Sequence, residues 1–332
     1  MNAVTYPVEP AEASELSRAG AALVALEGQH PDEILAAAAD CDALLIVSSS
    51  VPAEVIGGLE KCRVISRLGA GTDKIDVAAA TERGIVVANV PDFCIAEQAE
   101  HALALLLAAA RQLPYMMDAM RTGNWTARSH SGVHRVAGRT LGLVGFGASA
   151  QAVAKRAAAL GLRIVAWART PEKYEQIART LNVELMELDP LLAGSDYVSL
   201  HLPLTAETTH LLDARRLALM QPAAVLINTA RGALVEEAAL VESLRTARIA
   251  GAALDVFEGI DVFALPGTPA NHPLLDLDNV ILTPHCAGSS VESSLDSKTR
   301  GARHAAEVLL GRWPPHVVNP EVTPRIALSA AD

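Results

Sequence analysis

Short apolar runs alternate with longer stretches of helical period along most of the chain, which is the pattern of parallel α/β architecture. In the N-terminal third, Ala43–Val47, Val64–Arg67 and Ile85–Ala88 read as strands, and segments such as "PDEILAAAAD" between them as helices. A long helical stretch follows from about Glu97 to Arg121, where Pro114 predicts a kink. Further apolar runs then come in succession at Leu141–Val144, Arg163–Trp167, Tyr197–Leu200, Ala224–Asn228, Ala252–Asp255 and Val280–Thr283. Parallel strands in that number, joined by crossovers, are what a doubly wound dinucleotide-binding fold requires. The tail opens another helix, "SSLDSKTRGARHAAEVLLG", and closes on "RWPPHVVNPEV" without a further strand, so it is expected to pack back on the N-terminal domain. The expected division is a discontinuous domain of residues 1–107 and 289–332 and a dinucleotide-binding domain of residues 108–288.

Composition narrows the function classes. The 332 residues carry a net charge of −11, which disfavours a nucleic-acid surface built from clustered Lys and Arg. Cys41, Cys62, Cys94 and Cys286 are scattered without a CxxC or any metal-type spacing, so no structural metal is expected. Reduced thiols fit a cytoplasmic protein, and the N-terminus shows no signal-peptide pattern. The longest apolar run, "HALALLLAAA", is about half of what a bilayer span needs, so it reads as a buried helix and no membrane partner is expected.

Candidate chemistry starts at "LGLVGFGASAQAVAKRAAALGLRIVAWART", a strand, a glycine turn, a helix and a second strand. Gly145 permits the tight turn, and Gly147 lets backbone approach a pyrophosphate at the helix N-terminus, where free N–H groups and the dipole favour anions. The third glycine of G-x-G-x-x-G is Ala150, small enough for the helix–strand packing that this position serves. The acid that normally meets the adenosine ribose, about twenty residues past the first glycine, is absent. Ala168 stands there, followed by Arg169 and Thr170. A guanidinium and a hydroxyl suit a 2′-phosphate, so NADP is favoured over NAD. Alternatively, Arg169 stacks on the adenine or points to water.

Taken jointly, "RLGAGTDKIDVAAATERGIVVANVP", "AEHALALLLAAAR", the glycine turn, "SLHLPLTAETTHLL", "LINTARGALVEEAALVESLR", "AGAALDVFE", "HPLLDLDNVILTPHCAGSS" and "VVNPEV" resemble the D-isomer-specific 2-hydroxyacid dehydrogenase family. The resemblance covers about residues 40 to 322. It implies a Rossmann-like doubly wound parallel sheet plus a flavodoxin-like α/β substrate domain, a homodimer, and an active site in the interdomain cleft. It also implies hydride transfer between a nicotinamide and a small 2-keto or D-2-hydroxy acid, such as glyoxylate or hydroxypyruvate. By the same resemblance Arg231 binds the substrate carboxylate and polarises the keto group, and His285 is the general acid/base. Ala70 and Gly71 match the loop whose N–H groups receive the substrate carboxylate. Cofactor contacts are implied for Ala148, Ser149, His201, Pro203, Thr208, Thr229, Ala230, Asp255, Ala287 and Gly288.

The chain departs from the family in several places. The glutamate that follows "LDVF" and pairs with the histidine is replaced by Ile260, and neighbouring Asp261 is the candidate to take its part. "VSSSVP" lacks the arginine that phosphoglycerate dehydrogenases use for phosphate, which disfavours a phosphorylated substrate. "VPDFC" is similar to the branch that includes the C-terminal-binding-protein corepressors, so a dinucleotide-sensing binding protein is one alternative; a formate- or phosphite-type dehydrogenase is another.

Overall fold

The computed structural model describes residues 7–26, 30–129, 133–259 and 271–330. It divides into two compact units, residues 1–93 with 290–332, and residues 94–289. The expected break at 107/108 falls inside the helix Ile95–Ala110, which lies wholly in the second unit.

In the first unit, β1 (Ala43–Ile46), β2 (Val64–Arg67) and β3 (Val86–Ala88) pair in parallel in that order. Both faces of this sheet are covered, as parallel strands require. Ile65 and Val87 join Val55, Ile56 and Leu59 on one side, while Val64, Val86 and Ala88 pack with Ala302, Ala305 and Ala306 on the other. Those alanines come from the tail helix Val291–Leu309, which is capped by Ser290. Past it, buried Asn319 treats β3 as a neighbouring strand would, accepting from Val87 N at 2.8 Å and donating to Ile85 O at 3.0 Å. Within this unit the tail packs on the strands of the N-terminal segment.

The second unit carries β4 (Thr140–Val144), β5 (Arg163–Trp167), β6 (Glu184–Leu185), β7 (Tyr197–Leu200), β8 (Val225–Asn228), β9 (Gly251–Leu254) and β10 (Val280–Leu282). All pairings are parallel, in the order β10-β9-β8-β7-β4-β5-β6. Alternate residues of β4 face opposite layers: Leu141 and Leu143 meet the helices Ile95–Ala110 and Ala148–Ala159, and Val144 packs with Leu191, Leu217 and Leu240. The sheet holds one strand beyond the sequence expectation, β6, a two-residue edge too short to leave a hydrophobic period. The expected single helix from Glu97 is two, Ile95–Ala110 and Leu113–Arg121, separated at Gln112 in a left-handed conformation with Pro114 in the first turn of the second. Chain order reverses between β4 and β7, and the carboxyl ends at such a switch point form the ligand crevice of doubly wound sheets. Among the described residues no helix is long and apolar enough to cross a membrane.

Candidate active site

At the switch point the turn after β4 meets the end of β7. Gly145 has φ +96°, and a Cβ there would lie 2.4 Å from the carbonyl oxygen of His201. No L side chain fits either condition. Over Gly147 a Cβ would meet nothing within 4 Å. The helix Ala148–Ala159 starts directly behind it with no side-chain cap, so its N-terminal N–H groups open toward that space. Ala150 is fully buried with Leu141, Leu143 and Val153, which is the packing task of the missing glycine. A dinucleotide pyrophosphate fits this arrangement.

His201 sits between two hydroxyls, Nδ1 at 3.3 Å from Ser149 Oγ and Nε2 at 2.9 Å from Ser199 Oγ. Burial pushes its pKa down to about 4, so the ring is neutral at physiological pH. The Thr208 hydroxyl donates to Pro203 O at 2.8 Å and accepts from Thr205 N at 2.7 Å, so it holds its own loop in shape. Ala168 follows β5 and is buried, while Arg169 and Thr170 are exposed. Glu207 has a lowered pKa, chiefly through a hydrogen bond from the Thr205 hydroxyl and further through the charge of Arg169. The guanidinium thus shares its surroundings with a carboxylate.

The loops after β8, β9 and β10 form one hydrogen-bonded set around Asp255, which is fully buried. Three consecutive amides converge on this residue: His285 N–H donates to its carbonyl at 2.9 Å, Cys286 N–H to Oδ1 at 2.9 Å, and Ala287 N–H to Oδ2 at 2.8 Å. Thr283 Oγ1 donates to Oδ1 at 2.5 Å, and His101 Nε2 lies 3.0 Å from that hydroxyl and 3.5 Å from the carboxylate. In the other direction Asp255 N–H donates to Asn228 O at 2.9 Å. The Asn228 side chain donates to Arg231 O at 2.8 Å and accepts from Ala230 N at 3.0 Å. Arg231 and His285 are thereby set from one buried aspartate, with buried Thr229 and half-buried Ala230 between Asn228 and Arg231. Gly232 has to be glycine: a Cβ would lie 2.6 Å from the carbonyl carbon of Phe257. The backbone of Ala287, implied as a cofactor contact, uses its N–H on Asp255. Gly288 follows it in the same turn.

A second clamp holds the chain beyond β9. Glu237 accepts from Glu258 N at 2.7 Å, and buried His272 places Nε2 at 2.9 Å from both Glu237 Oε1 and Glu258 O. Leu274 N donates to His272 Nδ1, which puts the ring proton on Nε2. Ile260 and Asp261, the departure from the family pattern, lie outside the described residues.

In the first unit, Ala70 and Gly71 follow β2. Asn89 Nδ2 donates to Ala70 O at 2.7 Å, and Arg67 Nε donates to Gly71 O at 3.1 Å, so both carbonyls are turned inward onto side chains. Sequence reasoning passed over Arg67, Asn89, His101, Glu237 and His272. None sits in a glycine turn or at a motif's reactive position, and each acts through a partner chosen by the fold.

Comparison with known proteins points to a single family. The NAD-binding-domain model of the D-isomer specific 2-hydroxyacid dehydrogenases matches residues 103–287. A D-3-phosphoglycerate dehydrogenase of Mycobacterium bovis is 41% identical over 297 residues, 89% of this chain and 54% of that protein. A glyoxylate reductase of Korarchaeum cryptofilum is 40% identical over 291 residues, covering 85% and 84%. The chain spans about half the length of the phosphoglycerate dehydrogenases it matches. Among solved structures, the TT0316 protein of Thermus thermophilus superposes with TM-score 0.78 at 37% identity, covering 92% of this chain and 96% of that one. Two others, each 28% identical, were solved with cofactor. An acyclic imino acid reductase (Bsp5) holds NADPH and D-Arg (TM-score 0.78; 87% and 89% covered). A D-lactate dehydrogenase of Aquifex aeolicus holds NAD and lactic acid (TM-score 0.75; 83% and 84% covered).

Proposed function

The chain belongs to the D-isomer specific 2-hydroxyacid dehydrogenase family, and from that membership we propose that it is an NAD(P)-dependent reductase of a small 2-keto acid, yielding the D-2-hydroxy acid. The observation that carries this reading is the Asp255 hub, which fixes the loops of Arg231 and His285 together at the carboxyl ends of β8 to β10. Bound nicotinamide supplies the hydride. The Arg231 fork holds the substrate carboxylate and draws electron density from the keto oxygen. His285 gives that oxygen its proton in reduction and takes it back in oxidation. By resemblance the backbone N–H groups of Ala70 and Gly71 are assigned to the substrate carboxylate, and Asp255 to the nicotinamide carboxamide. On sequence alone, Asp261 is the carboxylate assigned to keep the His285 imidazole basic.

NADP is the favoured cofactor, supported by Ala168 in the place of the ribose-binding acid and by exposed Arg169 and Thr170 beside it. Unphosphorylated substrates are favoured, supported by the neutral Ser48–Ser50 stretch. A cytoplasmic homodimer is the proposed form. Leu113, Tyr115, Met117 and Met120 of the helix Leu113–Arg121 and the following Trp125 are exposed apolar side chains that a second copy would cover. The test is turnover of a panel of glyoxylate, hydroxypyruvate, longer 2-keto acids and 3-phosphohydroxypyruvate with NADPH and with NADH. Reduction of an unphosphorylated keto acid with NADPH is expected. Tight dinucleotide binding without turnover of any of them refutes the dehydrogenase reading.

A further inference from the structure

Around Asp255 lies a donor set whose other two members, His101 and Cys286, the proposed hydride transfer does not use. His101 Nε2, Asp255 Oδ1 and Cys286 Sγ all lie within 4.8 Å of one another. Two of the three separations are 3.5 Å, from His101 to Asp255, and 3.6 Å, from Cys286 to Asp255. A tetrahedral zinc ion with ordinary bond lengths requires ligand atoms about 3.4–3.6 Å apart. Two edges of that tetrahedron are therefore already present, and the third, from His101 to Cys286, is no longer than 4.8 Å. Imidazole, carboxylate and thiolate together select a borderline-soft divalent ion over magnesium or calcium. Asp255 is fully buried and fixed by two backbone amides, which pre-orients one ligand.

We propose that His101, Asp255 and Cys286 form a zinc-class divalent cation site in the second unit. Ligation converts the Cys286 thiol to thiolate and releases one proton to solvent. That thiol is held above its ordinary pKa by burial and then by the Asp255 charge, and the cation removes the second of these causes. The Thr283 hydroxyl is the ion's competitor. It donates to Asp255 Oδ1 and lies 3.0 Å from His101, so it has to swing aside for the ion to enter. Where Asp255 also meets nicotinamide, the ion and the dinucleotide exclude each other. That consequence rests on the function proposed above, whereas the site itself does not.

Titration of the cofactor-free protein with zinc chloride by calorimetry, in buffers of different ionisation heat, tests the proposal. One ion per chain is expected, with about one proton released. Cys286→Ala and His101→Asn should each weaken binding by more than the roughly 10–100-fold that loss of an outer-shell partner costs. Thr283→Ala should tighten it by roughly tenfold, because the competing hydrogen bond to a charged group is gone. This gain guards against reading a folding defect as a lost ligand. His210→Gln, which removes an exposed histidine 3.8 Å from Glu258, should change nothing. Zinc uptake that is absent, or unchanged in Cys286→Ala and His101→Asn, overturns the site. The keto-acid panel is read separately: turnover without zinc uptake removes the metal site alone, and zinc uptake without turnover removes the dehydrogenase reading alone.

Discussion

His201 offers a prediction whose size follows from the structure. Burial lowers its pKa from 6.5 to about 4, so the folded chain keeps the ring neutral at pH 5 while the unfolded chain protonates it. Between about pH 6.5 and 4 the unfolded state binds the extra proton, and stability therefore falls as pH drops through that window. The full loss is about 3.4 kcal/mol, from 2.5 pK units at about 1.36 kcal/mol each, and about 1.8 kcal/mol of it falls between pH 7 and 5. His304, also near pKa 4 through burial and then the neighbouring His316, adds a similar loss, while buried Glu12, whose pKa is raised by desolvation, works the other way. A difference measurement removes both. Urea unfolding of the wild type and His201→Asn should be followed at pH 7 and pH 5 by Trp167, with Trp125 and Trp313 replaced by Phe. Trp167 ends β5, and its carbonyl accepts the Gly145 N–H, so it reports on the second unit beside the glycine turn. The stability of wild type relative to variant should fall by about 1.8 kcal/mol from pH 7 to pH 5. A relative stability constant within about 0.5 kcal/mol refutes a desolvated, neutral His201. The ring would then be free to carry charge and serve as a counter-ion for pyrophosphate, instead of a hydrogen-bond partner for Ser149.

Three further outcomes are expected. His285→Asn should lower kcat by about 10²–10⁴ with dinucleotide affinity kept, and a comparable loss of affinity would place the residue in binding. Arg169→Ala should reduce kcat/KM for NADPH by roughly tenfold or more and leave NADH unchanged, while Glu207→Gln should favour NADPH by removing the carboxylate near that guanidinium. Equal effects on the two cofactors would mean that neither residue reads the 2′-phosphate. The double substitution Met117→Lys, Met120→Lys should convert a dimer to monomers in sedimentation, and an unchanged mass would move the interface elsewhere.

The parts of the fold that could be read from sequence were those with a local signature. Apolar runs of four or five residues located β4, β5, β7, β8 and β9 to within a residue, since strands buried on both faces leave little room for polar residues. β6 pairs only two residues at the sheet edge and leaves no such trace. Pro114 marked an interruption, but the break itself is set at Gln112, whose φ of +51° no composition rule predicts. The glycine turn was legible because its steric demands fall on adjacent residues. The Asp255 hub was not: His101 and Thr283 are 182 residues apart, and only the sheet order brings the helix Ile95–Ala110 against the end of β10.

That hub changes what Asp255 means. His285 holds φ +54°, a left-handed conformation that costs a non-glycine residue of order 1–3 kcal/mol unless the surroundings impose it. The amides of His285, Cys286 and Ala287 all end on Asp255, one on its carbonyl and one on each carboxylate oxygen, so the turn is over-determined. A residue assigned from resemblance as a cofactor contact is thus also the device that keeps His285, the proposed acid/base, in a strained pose. Through Asn228 it is joined to the loop of Arg231 as well. Replacing the carboxylate by an amide would turn one oxygen acceptor into a donor facing another donor, either Cys286 N–H or Ala287 N–H. The loss would then appear in the chemical step together with cofactor binding, because the strained turn relaxes when its anchor is removed.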